Sequence, residues 1–108
     1  MKHHIGELEE LVLLTVAVLG HEAYGVSIQR EIEARSSRRL TIGGMHSTIT
    51  RLEEKGLLKS WVGGATAERG GRSKRYYEIT ALGKKTLAEI KSLRDGLWSE
   101  SGLNVAIK

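Results

Sequence analysis

The sequence predicts a mainly α fold, α+β in class, in which three helices precede a β-hairpin and a long fourth helix follows it. Three observations predict it. Apolar residues recur at helical spacing in four segments, each bounded by glycine or a polar break. A glycine-rich, basic stretch stands between two short runs rich in β-formers, the pattern of a long hairpin. The chain has 108 residues, 40% of them hydrophobic, which is enough for one core, because a chain this size buries about two-thirds of its unfolded surface.

The first helix is expected from Gly6 to Leu19, ending at Gly20. Glu7, Glu9 and Glu10 in its first turn suit the positive end of the helix dipole. Beyond them it is apolar nearly all round, from Leu11 through Leu13, Leu14 and Val16 to Val18. A surface helix of a small domain shows a stripe instead, so this helix needs cover on two sides, and the pattern favours a second subunit over burial within one chain. His21 to Gly25 reads as a loop. A second helix follows over Val26 to Ala34, with Ile28 and Ile32 inward and Arg30, Glu31 and Arg35 outward, and Ser36-Ser37-Arg38-Arg39 breaks it. Leu40-Thr41-Ile42 alternates and can add a brief strand that Gly43-Gly44 stops. The third helix is expected from Met45 to Lys55, capped by Gly56. Met45, Ile49 and Leu52 face the core, and Ser47, Thr50, Arg51 and Glu54 lie opposite, flanked by His46 and Thr48.

Leu57 to Val62 and Lys74 to Thr80 read as the two strands of the hairpin, joined by a flexible glycine-rich tip. The wing so formed has two strands, or three with Leu40 to Ile42. The fourth helix is expected from an N-cap at Thr80 to Ser101, before Gly102. Thr86, Ile90, Leu93 and Leu97 form a narrow seam of coiled-coil type along it, with Trp98 beside them. Gly96 inside this helix costs about 1 kcal/mol against alanine, which either weighs against a continuous helix or marks a close helix approach.

Composition excludes several functions. Without cysteine there is no disulfide, thiolate metal site or thiol nucleophile. Aromatic residues make up 5%, too few for a reader that stacks single-stranded bases. The longest apolar run, Leu11 to Leu19, is far short of the roughly 20 residues of a membrane span, and no targeting segment is evident, so a soluble cytoplasmic protein without a membrane partner is expected. No G-x-S-x-G, H-E-x-x-H or Walker loop occurs. His3, His4, His21 and His46 lack ligand spacing, and the paired acids Glu9-Glu10 and Glu53-Glu54 point about 100° apart on their helices. The expectation is no enzyme, no catalytic residue, no metal and no cofactor.

Two features carry information together. The third helix has a small, hydroxyl-bearing outer face with one arginine, and the hairpin tip holds Arg69, Arg72, Lys74 and Arg75 within seven residues. Helices followed by a hairpin in this order form a winged helix-turn-helix, whose last helix before the hairpin enters the major groove while the hairpin touches the backbone or the minor groove. Gly44, His46, Ser47, Thr48, Thr50 and Arg51 are the candidate contacts of the recognition helix. Arg69, Arg72, Lys74 and Arg75 are those of the wing. The net charge of +4 fits a double-stranded DNA partner.

The chain also resembles the PadR family of bacterial transcriptional regulators, in particular its short members. The stretches that carry the resemblance are Gly6-Glu7-Leu8-Glu9, Ala23-Tyr24-Gly25-Val26-Ser27-Ile28, Arg51-Leu52-Glu53-Glu54-Lys55-Gly56-Leu57-Leu58, and Glu68 to Tyr77 followed by Ile79-Thr80-Ala81-Leu82-Gly83. Their order and spacing are specific where each alone is weak. At the start of the recognition helix the family commonly has Gly-Ala-Leu-Tyr, where this chain has Gly43-Gly44-Met45-His46, and the family's preceding proline is Ile42 here. An imidazole at His46 can still donate to a phosphate.

The resemblance implies a homodimeric repressor released by a small-molecule effector, in some members a phenolic or multidrug-like compound. The chain is expected to form a single structural unit, a winged-helix DNA-binding part over 1–80 that includes the N-terminal helix and a C-terminal dimerisation helix and tail over 81–108. Leu11, Leu14, Val18, Ile90, Leu93, Leu97 and Trp98 are the candidate dimer and effector residues. Two copies of Trp98 either fill the dimer core or flank a slot for a flat aromatic ligand. The alternative function is a winged helix that binds protein rather than a DNA sequence.

Overall fold

The structure, a computed structural model, describes residues 4–63 and 74–103. Helix α1 spans Glu7–Leu19 and passes through a short 3-10 turn, Gly20–Glu22, to α2, Gly25–Ser36. Helix α3 spans Ile42–Glu54, strands β1 and β2 span Leu58–Gly63 and Lys74–Ile79, and α4 spans Ala81–Ser101. This is the mainly α, winged-helix arrangement that the patterning predicts. The strands pair antiparallel, with Leu58 opposite Ile79 and Gly63 opposite Lys74.

The core forms where α1, α2, α3 and the hairpin meet. Val12, Leu13, Ile28, Ile49, Leu52 and Leu57 are fully buried there. Met45, Ile49 and Leu52 all face inward on α3, as their spacing requires. On α1, Val12, Leu13 and Val16 are buried, while Leu14 is 44% and Val18 60% exposed. The all-round apolarity of α1 therefore divides into one face that fills the core and one that the chain leaves open.

Two expectations are corrected. Leu40-Thr41 forms no strand. The Leu40 amide donates to the Glu33 carboxylate at 2.8 Å, and its carbonyl accepts from Gln29 Nε2 at 2.8 Å. Side chains of α2 thus take up the groups that a strand would offer a neighbour. The described hairpin has two strands, and an isolated antiparallel bridge links Tyr24, ahead of α2, to Tyr76 of β2. The second correction concerns Gly43-Gly44, which do not stop a segment but lie in the first turn of α3. Thr41 is the N-cap, its hydroxyl accepting from the Gly44 amide at 2.9 Å. That bond offsets the poor helix propensity of the two glycines. A Cβ at Gly44 would stand 2.9 Å from the same hydroxyl oxygen.

Thr80 joins the hairpin to α4 with no other residue between them. Its hydroxyl accepts from the Gly83 amide at 3.0 Å and donates to the Gly56 carbonyl at 2.7 Å. Gly83 is buried, and a Cβ there would lie 2.6 Å from Ile79 Cγ1 and also against the Leu57 carbonyl. The first half of α4 is thereby seated on the end of the hairpin, with Thr86 and Ile90 buried. From Lys91 onward every described residue of α4 is exposed, including Leu93, Leu97 and Trp98 at 54–64%. The molecule measures 58 × 32 × 22 Å with a radius of gyration of 16.0 Å, against about 13 Å for a compact chain of this length.

Candidate nucleic-acid interface

The outer face of α3 presents Gly44, His46, Ser47, Thr50 and Arg51, all exposed. Thr48, expected beside them, is buried at 1% exposure, and its hydroxyl donates to the Gly44 carbonyl at 2.9 Å. The 100° step per residue turns it inward, beside Met45, Ile49 and Leu52, rather than outward. Its oxygen also accepts from Arg51 Nη2 at 3.3 Å, so Thr48 touches the outer face only through Arg51.

Lys74 and Arg75 lie at the base of the wing, while Arg69 and Arg72 lie outside the described residues. Lys74 Nζ sits 4.0 Å above the centre of the Tyr24 ring, a cation–π contact that fixes the ammonium where the hairpin leaves the body. Tyr24 meets Tyr76 edge to face at 5.8 Å, and Tyr76 stacks on Trp61 at 6.1 Å. Arg75 Nη1 donates to Ser60 Oγ at 3.0 Å, and Ser60 donates to the Glu53 carboxylate at 2.7 Å. This chain of contacts ties both strands to the C-terminal end of α3. The Tyr77 amide also donates to the Ala23 carbonyl at 2.9 Å. Burial pushes the Tyr77 hydroxyl pKa up, with Glu53 adding to the effect, so the side chain stays neutral at physiological pH.

These elements enclose an open groove of about 470 Å³ between the start of α2, α3 and the base of the wing. Arg30, His46, Lys74 and Arg75 line it together with Tyr24 and Gly25. The groove places cations from α2 and β2 beside His46 of α3. Sequence reasoning missed Tyr24 and Arg30 here. Tyr24 reads as a loop residue and Arg30 as one more solvated charge, and only the fold brings them to the wing.

The candidate dimer residues divide by exposure. Leu11 and Ile90 pack within the chain, whereas Leu14, Val18, Leu93, Leu97 and Trp98 are open. Leu14, Leu87, Ala88 and Trp98 line an open groove of about 440 Å³ between α1 and α4. Arg94 on α4 bonds the Glu10 carboxylate at 3.0 Å at its edge. Among the described residues no group of acidic or histidine side chains is arranged to hold a metal, and no helix is long and apolar enough to cross a membrane.

Comparison with known proteins agrees with this geometry. The family model of the transcriptional regulator PadR-like family matches residues 13–89. An uncharacterized protein of Lysinibacillus sphaericus is 30% identical over 87 residues, covering 79% of this chain and 75% of its own. A PadR family transcription regulator of Clostridium difficile R20291 superposes with a TM-score of 0.68 at 27% identity, covering 90% of this chain and all of its own. A PadR family regulator of Eggerthella lenta DSM 2243 does so at 0.62 and 28%, covering 91% of this chain and 88% of its own.

Proposed function

The chain belongs to the PadR-like family of transcriptional regulators, and from that premise we propose that it binds double-stranded DNA sequence-specifically as a homodimer and represses transcription until a small molecule releases it. One observation carries the reading. The cations Arg30, Lys74 and Arg75 line a single groove together with His46, which belongs to the exposed face of α3. Gly44, His46, Ser47, Thr50 and Arg51 then meet base edges and nearby phosphates, while Lys74 and Arg75, with Arg69 and Arg72 of the tip, meet the backbone. Thr48 acts behind them by holding Arg51. Residues 1–80 serve as the DNA-binding unit and 81–108 as the dimerisation helix and tail.

The dimer reading rests on the open apolar face. Leu93, Leu97 and Trp98 on α4 and Leu14 and Val18 on α1 are exposed together, and pairing with a second copy removes them from water. The groove beside Trp98 becomes a slot between subunits, suited to a flat aromatic effector. Such a ligand relieves repression only if it binds the DNA-incompetent dimer more tightly than the competent one. The protein acts in the cytoplasm and needs neither metal nor cofactor.

Salt dependence tests the reading. Affinity for a duplex should fall by roughly 0.9 log units per log unit of salt for each phosphate contact. Replacing Arg72 and Lys74 by glutamine should weaken binding to every sequence and flatten that slope. An unchanged slope would remove the wing from the interface. Binding that ignores salt altogether would favour a protein partner instead.

A further inference from the structure

Glu9 has the one buried carboxylate among the described residues, at 6% exposure. It lies in the first turn of α1, where its Oε1 accepts from the Gly6 amide at 2.7 Å. Lys55 Nζ, at the end of α3, donates to Oε2 at 2.9 Å and to Oε1 at 3.1 Å, and also to the His4 carbonyl at 3.1 Å. The Lys55 ammonium, its side chain 33% exposed, is thus engaged by the protein itself. A second cation faces the same carboxylate: Arg51 Nε stands 3.8 Å from Oε2. Arg51 is held again by Nη2 on Thr48, yet its side chain stays 53% exposed beside Ser47 and Thr50. One carboxylate therefore faces two cations, Lys55 at the C-terminal cap of α3 and Arg51 at the proposed reading face.

We propose that Glu9 is a specificity-determining positioning residue, which orients the Arg51 guanidinium before DNA arrives. The inference rests on the DNA-binding reading above. An arginine fixed from behind loses less conformational freedom on meeting a matching base or phosphate than a free one. The same negative charge weakens attraction to any duplex, whatever its sequence. Glu9 thus favours the matched site and disfavours the rest, and the two effects multiply in the specificity ratio.

The test compares a duplex selected by the wild-type protein from a random pool with a mixed-sequence duplex, at one salt concentration. Glu9→Gln keeps an oxygen for the Gly6 amide and removes the charge. It should weaken the selected duplex by about threefold or more while leaving the mixed duplex unchanged or tighter. Added to Arg51→Ala, the same substitution should leave the ratio unchanged. Equal loss on both duplexes, or the same fall in ratio without Arg51, overturns the proposal. Should Glu9→Gln fail to fold, the surface variant Arg51→Lys keeps the charge but lacks the fork, and an undiminished ratio there overturns it too. A wild-type protein with no salt-sensitive duplex binding would defeat the DNA reading rather than the tether. The tether is then read without DNA, as hydrogen exchange at Arg51 Nε by NMR. Glu9→Gln should speed that exchange, and unaltered exchange overturns the proposal.

Discussion

At the scale of single residues, the buried Glu9 carboxylate has a measurable consequence for stability. Burial pushes its pKa up, but the Gly6 amide, Lys55 and Arg51 together outweigh burial and hold it below the ordinary glutamate value of 4.5. A carboxyl depressed in the folded state binds its proton more weakly than in the unfolded chain. Its contribution is therefore complete above pH 4.5 and is lost as the pH falls through the folded-state value. Urea unfolding from pH 7 toward pH 3 should show stability falling over that window, and Glu9→Gln should flatten that part of the curve. Only half of this arrangement is legible in the sequence. The spacing Gly6-x-x-Glu9 fits a carboxylate reaching back to an amide at the helix start, but nothing local indicates that Lys55, distant in sequence, ends beside it. Thr48 illustrates the same gap. It neighbours outward residues in the sequence, and only the packing of α3 in the fold shows it buried.

At the scale of elements, α3 depends on its cap more than the other helices do, because Gly43 and Gly44 occupy its first turn. Thr41→Ala removes the hydroxyl that accepts from the Gly44 amide, and a lost N-cap costs about 1 kcal/mol. The urea midpoint should fall accordingly with the slope of the transition unchanged, and duplex binding should weaken because Gly44 and His46 sit in the frayed turn. The two glycines also explain why the start of α3 reads three residues late from the sequence. Glycine usually marks a stop, and here a threonine hydroxyl overrides that preference. Helices α1 and α4 were legible because their signals agree. Acidic residues open α1, a threonine caps α4, and the left-handed Gly102 ends it. The aromatic run from Tyr24 through Tyr76 to Trp61 was not legible, since it joins three segments that only the hairpin register aligns.

At the scale of the whole molecule, the outer half of α4 is exposed throughout and meets α1 through the Arg94–Glu10 ion pair at 3.0 Å, in a molecule with a radius of gyration of 16.0 Å. A 21-residue helix is about 31 Å long, more than a core of this size can cover. Leu93→Glu places a charge in the centre of the exposed apolar strip and should give a monomer in sedimentation velocity, with the helical circular dichroism largely retained. A dimer that survives the change would move the interface off this face. The sequence marked the strip as one seam from Thr86 to Leu97, but the fold divides it: Thr86 and Ile90 serve the chain's own core, and Leu93 and Leu97 are left free.

The single residue between β2 and α4 acts as a joint without slack. Thr80 is bonded on both sides, and Gly83 is packed too tightly to let the helix roll. A twist applied to α4 must therefore reach the hairpin as rotation, since no linker can absorb it. In the proposed homodimer this would tie the separation of the two α3 helices to the angle at which the α4 helices cross. Inserting one residue after Thr80 would turn α4 by about 100°; on the proposed dimeric DNA-binding reading, it would throw the two α3 faces out of phase with the helical repeat of DNA and leave each half intact but the pair unable to grip.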